Sequence, residues 1–175
     1  MNIIFLIGMP FAGKTYWAKK LSDHYDVPYI DMDAAIEAQT GKTIAQIFET
    51  EGQPFFRKLE QQLLHTIIDN YPRPLIVSCG GGTSIFSDNL SIMKQAGCVV
   101  YLTAAIETLV SRFEGVEENN ERPLLASVPD IEEELVDLLE SRKNIYEQAH
   151  YIIACEGLSV VNFEQIFSRC TDRHL

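Results

Sequence analysis

The chain is short of positive charge: 14 Lys and Arg stand against 25 Asp and Glu, for a net charge of −11 over 175 residues. A nucleic-acid partner requires a basic face that displaces counterions from phosphates, and this balance argues against one. Long apolar runs are also missing. The longest, "IIFLI" and "CVVYL", are too short to cross a bilayer and no basic region precedes the first, so neither a membrane span nor a signal peptide is expected. The expectation is a cytoplasmic protein. The four cysteines, Cys79, Cys98, Cys155 and Cys170, form no CxxC pair and read as reduced, small apolar residues. The four histidines are scattered without zinc-ligand spacing, so no structural metal is assigned. Low-complexity stretches and repeats are absent. The length suits one domain over residues 1–175 and, with the charge, suggests a monomer.

What is present alternates. Strand-like runs ("NIIFLI", "PYID", "LIVSC", "CVVYL", "YIIAC") are separated by segments of helical period, the βαβ rhythm of a parallel sheet covered on both faces. Helices are predicted at 14–24, 34–50 with a break near Gly41, 54–70, 87–96, 105–113, 130–149 and 159–171. Thr43 with Gln46 reads as a capping box and Pro54 as a first helical residue. The stretch "FEGVEENNERPLL", residues 113–125, fits neither period and is expected to be a surface loop.

Directly after the first strand comes "GMPFAGKT", in which Gly8, Gly13, Lys14 and Thr15 satisfy GxxxxGK[ST]. Such a loop wraps phosphate oxygens with backbone N–H groups, its lysine reaches the outer phosphates, and its hydroxyl residue ligates Mg²⁺. Phe11 and Ala12 belong to the same cradle. A bulky Phe11 is tolerated there if its ring points outward, over a neighbouring loop or toward the acceptor. The helix that follows carries Trp17, Leu21 and Tyr25 on one face, which anchors the loop.

A phosphate loop alone leaves open a GTPase, an ATPase, a motor or a small-molecule kinase. No NKxD guanine-reading sequence occurs, and neither central strand ends in the aspartate of a usual Walker B. Carboxylates appear instead in "PYIDMDAAIE", where alternate residues of an extended segment would turn Asp31 and Asp33 to one side. One could hold metal-bound water while the other accepts a hydroxyl proton; helix capping by Asp33 is the plain alternative. In "PFFRKLEQQLLHTII", Glu60 falls inside the apolar arc of Phe56, Leu59, Leu63, Leu64 and Ile67, so it needs Arg57 as partner. Arg57 in a first helical turn opposes the helix dipole, which an anionic ligand would resolve. Arg142 projects from the stripe of Ile131, Leu135, Leu138, Ile145 and Ala149, where leucine would be expected, and must snorkel, pair or face a ligand. Gly80, Gly81 and Gly82 end the third strand and allow backbone to approach a ligand.

In order along the chain, "GMPFAGKT", "DMD" before "AIE", "FFRKLE", "GGG", "RPLL" and "SRKNIY" resemble the shikimate kinase family. The resemblance implies an α/β three-layer sandwich with a five-stranded parallel sheet and a mobile lid near 113–125. It implies ATP-dependent, Mg²⁺-assisted phosphorylation of the 3-hydroxyl of shikimate in aromatic amino-acid biosynthesis. It also implies roles: Lys14 on the transferring phosphoryl, Thr15 and Asp31 on the metal, and Asp33 as acceptor ligand and base. Arg57, Arg142 and the glycines 80–82 would hold the acceptor, Glu60 would buttress Arg57, Arg122 would swing in from the lid, and Arg112 would flank the adenine. Phe11 stands where the family commonly has a small residue, and the lid is longer and more acidic than in many members. Two rivals stay open at this stage: a kinase for gluconate or a nucleotide, and a catalytically silent ATP-binding module.

Overall fold

The computed structural model describes residues 2–115 and 130–171. Five parallel strands form one sheet in the order β2-β3-β1-β4-β5, with β1 Ile3–Ile7, β2 Tyr29–Asp31, β3 Leu75–Ser78, β4 Cys98–Thr103 and β5 Tyr151–Ala154. The central β1, IIFLI, is buried at every position, as a strand covered on both faces must be. It pairs Phe5 with Val77 of β3 on one side and with Val99 of β4 on the other. The chain leaves β1, skips a place to lay down β2, and returns through β3. The crevice where the strand order reverses therefore opens beyond the carboxyl end of β1, where parallel sheets bind ligands.

Eight helices flank the sheet among the described residues: α1 Lys14–Tyr25, α2 Met32–Thr40, α3 Ile44–Glu51, α4 Gln53–Asn70, α5 Asn89–Ala96, α6 Ile106–Glu114, α7 Ile131–Tyr146 and α8 Val161–Thr171. The predicted 34–50 helix is two helices, broken at Gly41, whose left-handed φ of 66° closes α2. The expected capping box of Thr43 and Gln46 then starts α3. α7 stops at Tyr146, short of the predicted 149. Helix α8 closes over α1, with Phe163 beside Trp17 and Phe167 stacked on Tyr25 at 3.8 Å. No described helix is long and apolar enough to cross a membrane.

One cysteine expectation is overturned. Cys98, at the start of β4, and Cys170, in α8, are joined as a disulfide, while Cys79 and Cys155 are free and buried. The two bonded residues are separated by 72 positions, and only the docking of α8 brings them together. No spacing rule could have paired them.

Candidate active site

The phosphate loop joins β1 to α1. Gly8 sits with its α-carbon so close to β4 that a Cβ would lie 2.5 Å from the Leu102 carbonyl oxygen, and its φ is 142°. Gly13, at φ 85°, starts α1 in the left-handed region, so both pattern glycines are required by backbone conformation. Lys14 is buried, and its ammonium donates to the carbonyls of Gly8 at 3.1 Å and Met9 at 2.9 Å, which satisfies a charge withdrawn from water. Ala12 is fully buried beneath the loop, and its carbonyl accepts from the Cys155 thiol at 2.9 Å. Burial raises that thiol's pKa, with Arg112 opposing, so it stays protonated at neutral pH.

Phe11 has a φ of 63°, a left-handed conformation costly for any side chain. Its ring meets Phe113 of α6 edge-on, centroids 5.5 Å apart. Of the two places considered for it, the ring therefore takes the neighbouring element. Arg112 reaches back from α6 to donate to the Phe11 carbonyl at 2.8 Å, which ties that helix to the loop.

Thr15 Oγ1 donates to Asp31 Oδ2 at 2.6 Å and lies 3.2 Å from Ser78 Oγ, at the end of β3. Hydroxyl and carboxylate oxygens gathered beside a phosphate loop are the donor set Mg²⁺ accepts, so the residues fit the implied metal. Ser78 stands where a Walker B aspartate would, and a lone hydroxyl closing an apolar strand was the available signal for it. Asp31 has a second task. Its Oδ1 accepts from Ala34 N at 3.1 Å and caps α2, so the capping residue is Asp31 and not Asp33. Strand alternation does not bring Asp31 and Asp33 to one side. β2 ends at Asp31, and Asp33 stands in the first turn of α2, brought into the site by the helix and not by an extended strand.

The three glycines after β3 are the hub of the other half. A Cβ on Gly80 would lie 2.5 Å from Glu60 Oε1 and 2.9 Å from Asp33 Oδ1. On Gly81 it would lie 3.2 Å from Pro10 of the phosphate loop and 3.4 Å from Arg142 Nη1, and on Gly82 it would collide with the Arg57 guanidinium. The turn thus packs against all four of the charged groups read from the sequence on this side, and against the phosphate loop as well. Glu60 is fully buried, as its place in the apolar arc required. One of its oxygens accepts from Arg57 Nη1 and the other from Thr83 Oγ1, so a carboxylate withdrawn from water is paired on both oxygens. Arg57 lies in the second turn of α4 and not the first, which relieves much of the expected dipole conflict.

Arg142 is also buried, and its Nη1 donates to the Gly81 carbonyl at 3.0 Å. Arg57, Gly82 and Arg142 line one cavity of about 340 Å³, together with Gln53, Pro54 and Phe86. Sequence reasoning missed Thr83 and Tyr146, the latter donating to the same Gly81 oxygen. Tyr146 could have been suspected, since it lies one helical turn beyond Arg142. Thr83 offered no signal. Arg122 and most of the expected lid, 116–125, lie outside the described residues.

These features have known counterparts. The sequence model of the shikimate kinase family matches residues 10–173. A shikimate kinase of Persephonella marina is 36% identical over 159 residues, covering 91% of this chain and 92% of that protein. One from Bacteroides fragilis is 35% identical over 157 residues, covering 89% and 86%. Among solved structures, the shikimate kinase of Acinetobacter baumannii in complex with shikimate superposes with a TM-score of 0.86 at 34% identity, covering 97% of this chain and 94% of that one. The Aquifex aeolicus shikimate kinase gives 0.76 at 30% identity, with 94% and 93% covered. With a phosphate loop beside an arginine-lined cavity, and relatives matched over most of their length, this chain belongs to the shikimate kinase family.

Proposed function

We propose that this protein transfers the γ-phosphoryl group of ATP to the 3-hydroxyl of shikimate, with Mg²⁺, in aromatic amino-acid biosynthesis. The observation that carries the reading is the shared cavity of Arg57 and Arg142. Two guanidiniums facing one space suit a small carboxylic acid, because a planar cation with paired N–H donors grips a carboxylate bidentately. A nucleotide acceptor would ask for a base-reading surface instead.

The roles follow from position. Arg57 and Arg142 hold the acceptor's carboxylate, and the Gly80–Gly82 backbone lies against its ring. Asp33, beside Gly80, binds the hydroxyl and takes its proton as the oxygen attacks. Lys14 neutralises the transferring phosphoryl, and Thr15 with Asp31 would hold the metal. Mg²⁺, when bound, would supply positive charge to the phosphates, and the protein's own work is alignment, charge neutralisation and exclusion of water. Arg112 flanks the adenine and Arg122 completes the phosphate clamp from the lid. We place the reaction in the cytoplasm, carried out by a monomer without nucleic acid or membrane.

Mg²⁺-dependent ADP release measured in parallel with shikimate, gluconate and a nucleoside monophosphate tests the assignment. Release with shikimate alone is expected. Release with either competitor at equal efficiency, or with none, would sink it. Arg142→Ala is expected to weaken shikimate binding by about 2–5 kcal/mol, the cost of removing one partner of a desolvated ion pair. An unchanged shikimate KM would return Arg142 to a structural role.

A further inference from the structure

Beyond the residues assigned to the two substrates, Tyr146 is the side chain most completely built into the site. It closes α7 at 0% exposure. Its phenol donates to the Gly81 carbonyl at 2.5 Å, and Arg142, one turn earlier on the same helix, donates to that same oxygen at 3.0 Å. The ring stacks on Tyr101 of β4, centroids 4.9 Å apart and planes 28° from parallel, which fixes its orientation. Burial raises the phenol's pKa, with the Arg142 charge opposing, so the hydroxyl remains a donor throughout the neutral range.

A carbonyl oxygen has two lone pairs, and here each has its own donor. The two donors differ in what else they can do. Arg142 lines the cavity, so an anion bound there would compete with the Gly81 carbonyl for its guanidinium. The Tyr146 phenol is itself touched by Arg142 but lies out of a ligand's reach, because its ring is sealed between Tyr101 and the turn. Without that hydroxyl, the half-buried Gly81 carbonyl would depend on the very group the ligand recruits, and an acceptor partly withdrawn from water would lose its fixed donor.

We propose that Tyr146 is a positioning residue for the acceptor: its hydroxyl holds the Gly81 carbonyl, and with it the Gly80–Gly82 turn, so that Arg142 is released to grip the acceptor's carboxylate. The proposal rests on the reading of Arg142 and the turn as the acceptor site. It makes the end of α7 a two-residue device in which the arginine binds and the tyrosine holds the floor in place.

Tyr146→Phe removes one hydroxyl and keeps the ring, its volume and the Tyr101 stack. With each substrate varied in turn, the shikimate KM is expected to rise roughly tenfold while the ATP KM stays within about twofold, the pattern of a lost acceptor-binding interaction. A lowered melting temperature with both KM values unchanged would mean a purely structural hydroxyl and overturn the proposal. Tyr101→Phe is the control for losing a buried phenol nearby. A shikimate KM raised as much in that variant would equally overturn it. Amide hydrogen exchange over residues 80–84, measured without any acceptor, is expected to quicken by on the order of tenfold in Tyr146→Phe. Unchanged exchange overturns the proposal whatever the acceptor. A wild-type enzyme inert toward shikimate would instead overturn the function reading, and the acceptor-free exchange measurement tells the two failures apart.

Discussion

Lys14 finds both of its carbonyl partners within six residues of chain, at Gly8 and Met9, whereas Arg142 meets the Gly81 carbonyl across 61 residues. The phosphate side holds its lysine from within one loop and the helix that loop starts, with Arg112 and Cys155 bracing the Phe11 and Ala12 carbonyls from elsewhere in the chain. The acceptor side is assembled from the start of α2, the first turns of α4, the turn after β3 and the end of α7, and none of these forms a site alone. The lysine's cradle should lose function chiefly when its own residues change. An assembled site should also fail when its supports change.

The largest effect expected on this division is on turnover. Asp33→Asn should lower kcat by roughly 10²- to 10⁴-fold, the usual contribution of a positioned base, while ATP affinity is nearly kept. Wild-type turnover in that variant would remove Asp33 from the chemistry and leave the acceptor side with binding residues alone.

Glu60→Ala comes next and probes support without touching the phosphate loop. Leaving Arg57 without its buried partner should cost about 3–5 kcal/mol of folding stability and raise the shikimate KM, with the ATP KM unmoved. Chemical denaturation and paired KM measurements read the two consequences. An ATP KM that rose in step would show the two halves to be one cooperative unit.

Phe11→Gly sharpens the comparison from the other side. Relief of a left-handed φ should return about 1–2 kcal/mol, which offsets part of what is lost with the edge contact to Phe113 and the ring's partial burial, so the protein should be moderately destabilised. The ATP KM is expected to rise by about two- to fivefold as the loop loses pre-organisation, and the shikimate KM to stay put. A changed shikimate KM would place the ring in the acceptor's path after all.

The smallest effect lies beneath both halves. Burial raises the pKa values of the Cys79 and Cys155 thiols and of the Tyr101 and Tyr146 phenols, with Tyr101 pushed to about 12. Each group then holds its proton more tightly folded than unfolded. The stability they contribute is complete below the ordinary values of 9.0 for thiols and 10.0 for phenols, and it is lost as the pH climbs toward the folded values. Urea melts at rising pH should therefore be level to about pH 9 and fall beyond it. A Tyr101→Phe protein should fall less steeply, and equal slopes would mean that this phenol does not titrate with unfolding.

The same division decides what could be read from the chain. The phosphate loop was legible because its parts are adjacent and each glycine has a backbone reason to be there. Glu60 and Arg142 were legible for a different reason: a charge on an apolar helical face is a contradiction that only a partner or a ligand resolves, and both are buried. Asp33 does lie beside Gly80, but alternation does not put it there, since three-residue β2 gives way to α2 before alternation can act. Thr83 and the Cys98–Cys170 bond were out of reach, because each acquires its meaning only from a residue far along the chain. Periodicity reports which face is buried. It carries no information on what the face is buried against.

The triple glycine has an evolutionary corollary. Each of its α-carbons abuts a different charged neighbour, so a methyl group added at 80, 81 or 82 would press respectively on Glu60 and Asp33, on Pro10 and Arg142, or on Arg57. Three adjacent alanine replacements would thus behave as three unrelated lesions, separately addressing Asp33 with Glu60, Arg142, and Arg57. A lineage exploring new acceptors would have to leave this tripeptide alone and begin at the outer rim, around Gln53, Pro54 and Phe86, where side chains can change without evicting a charge.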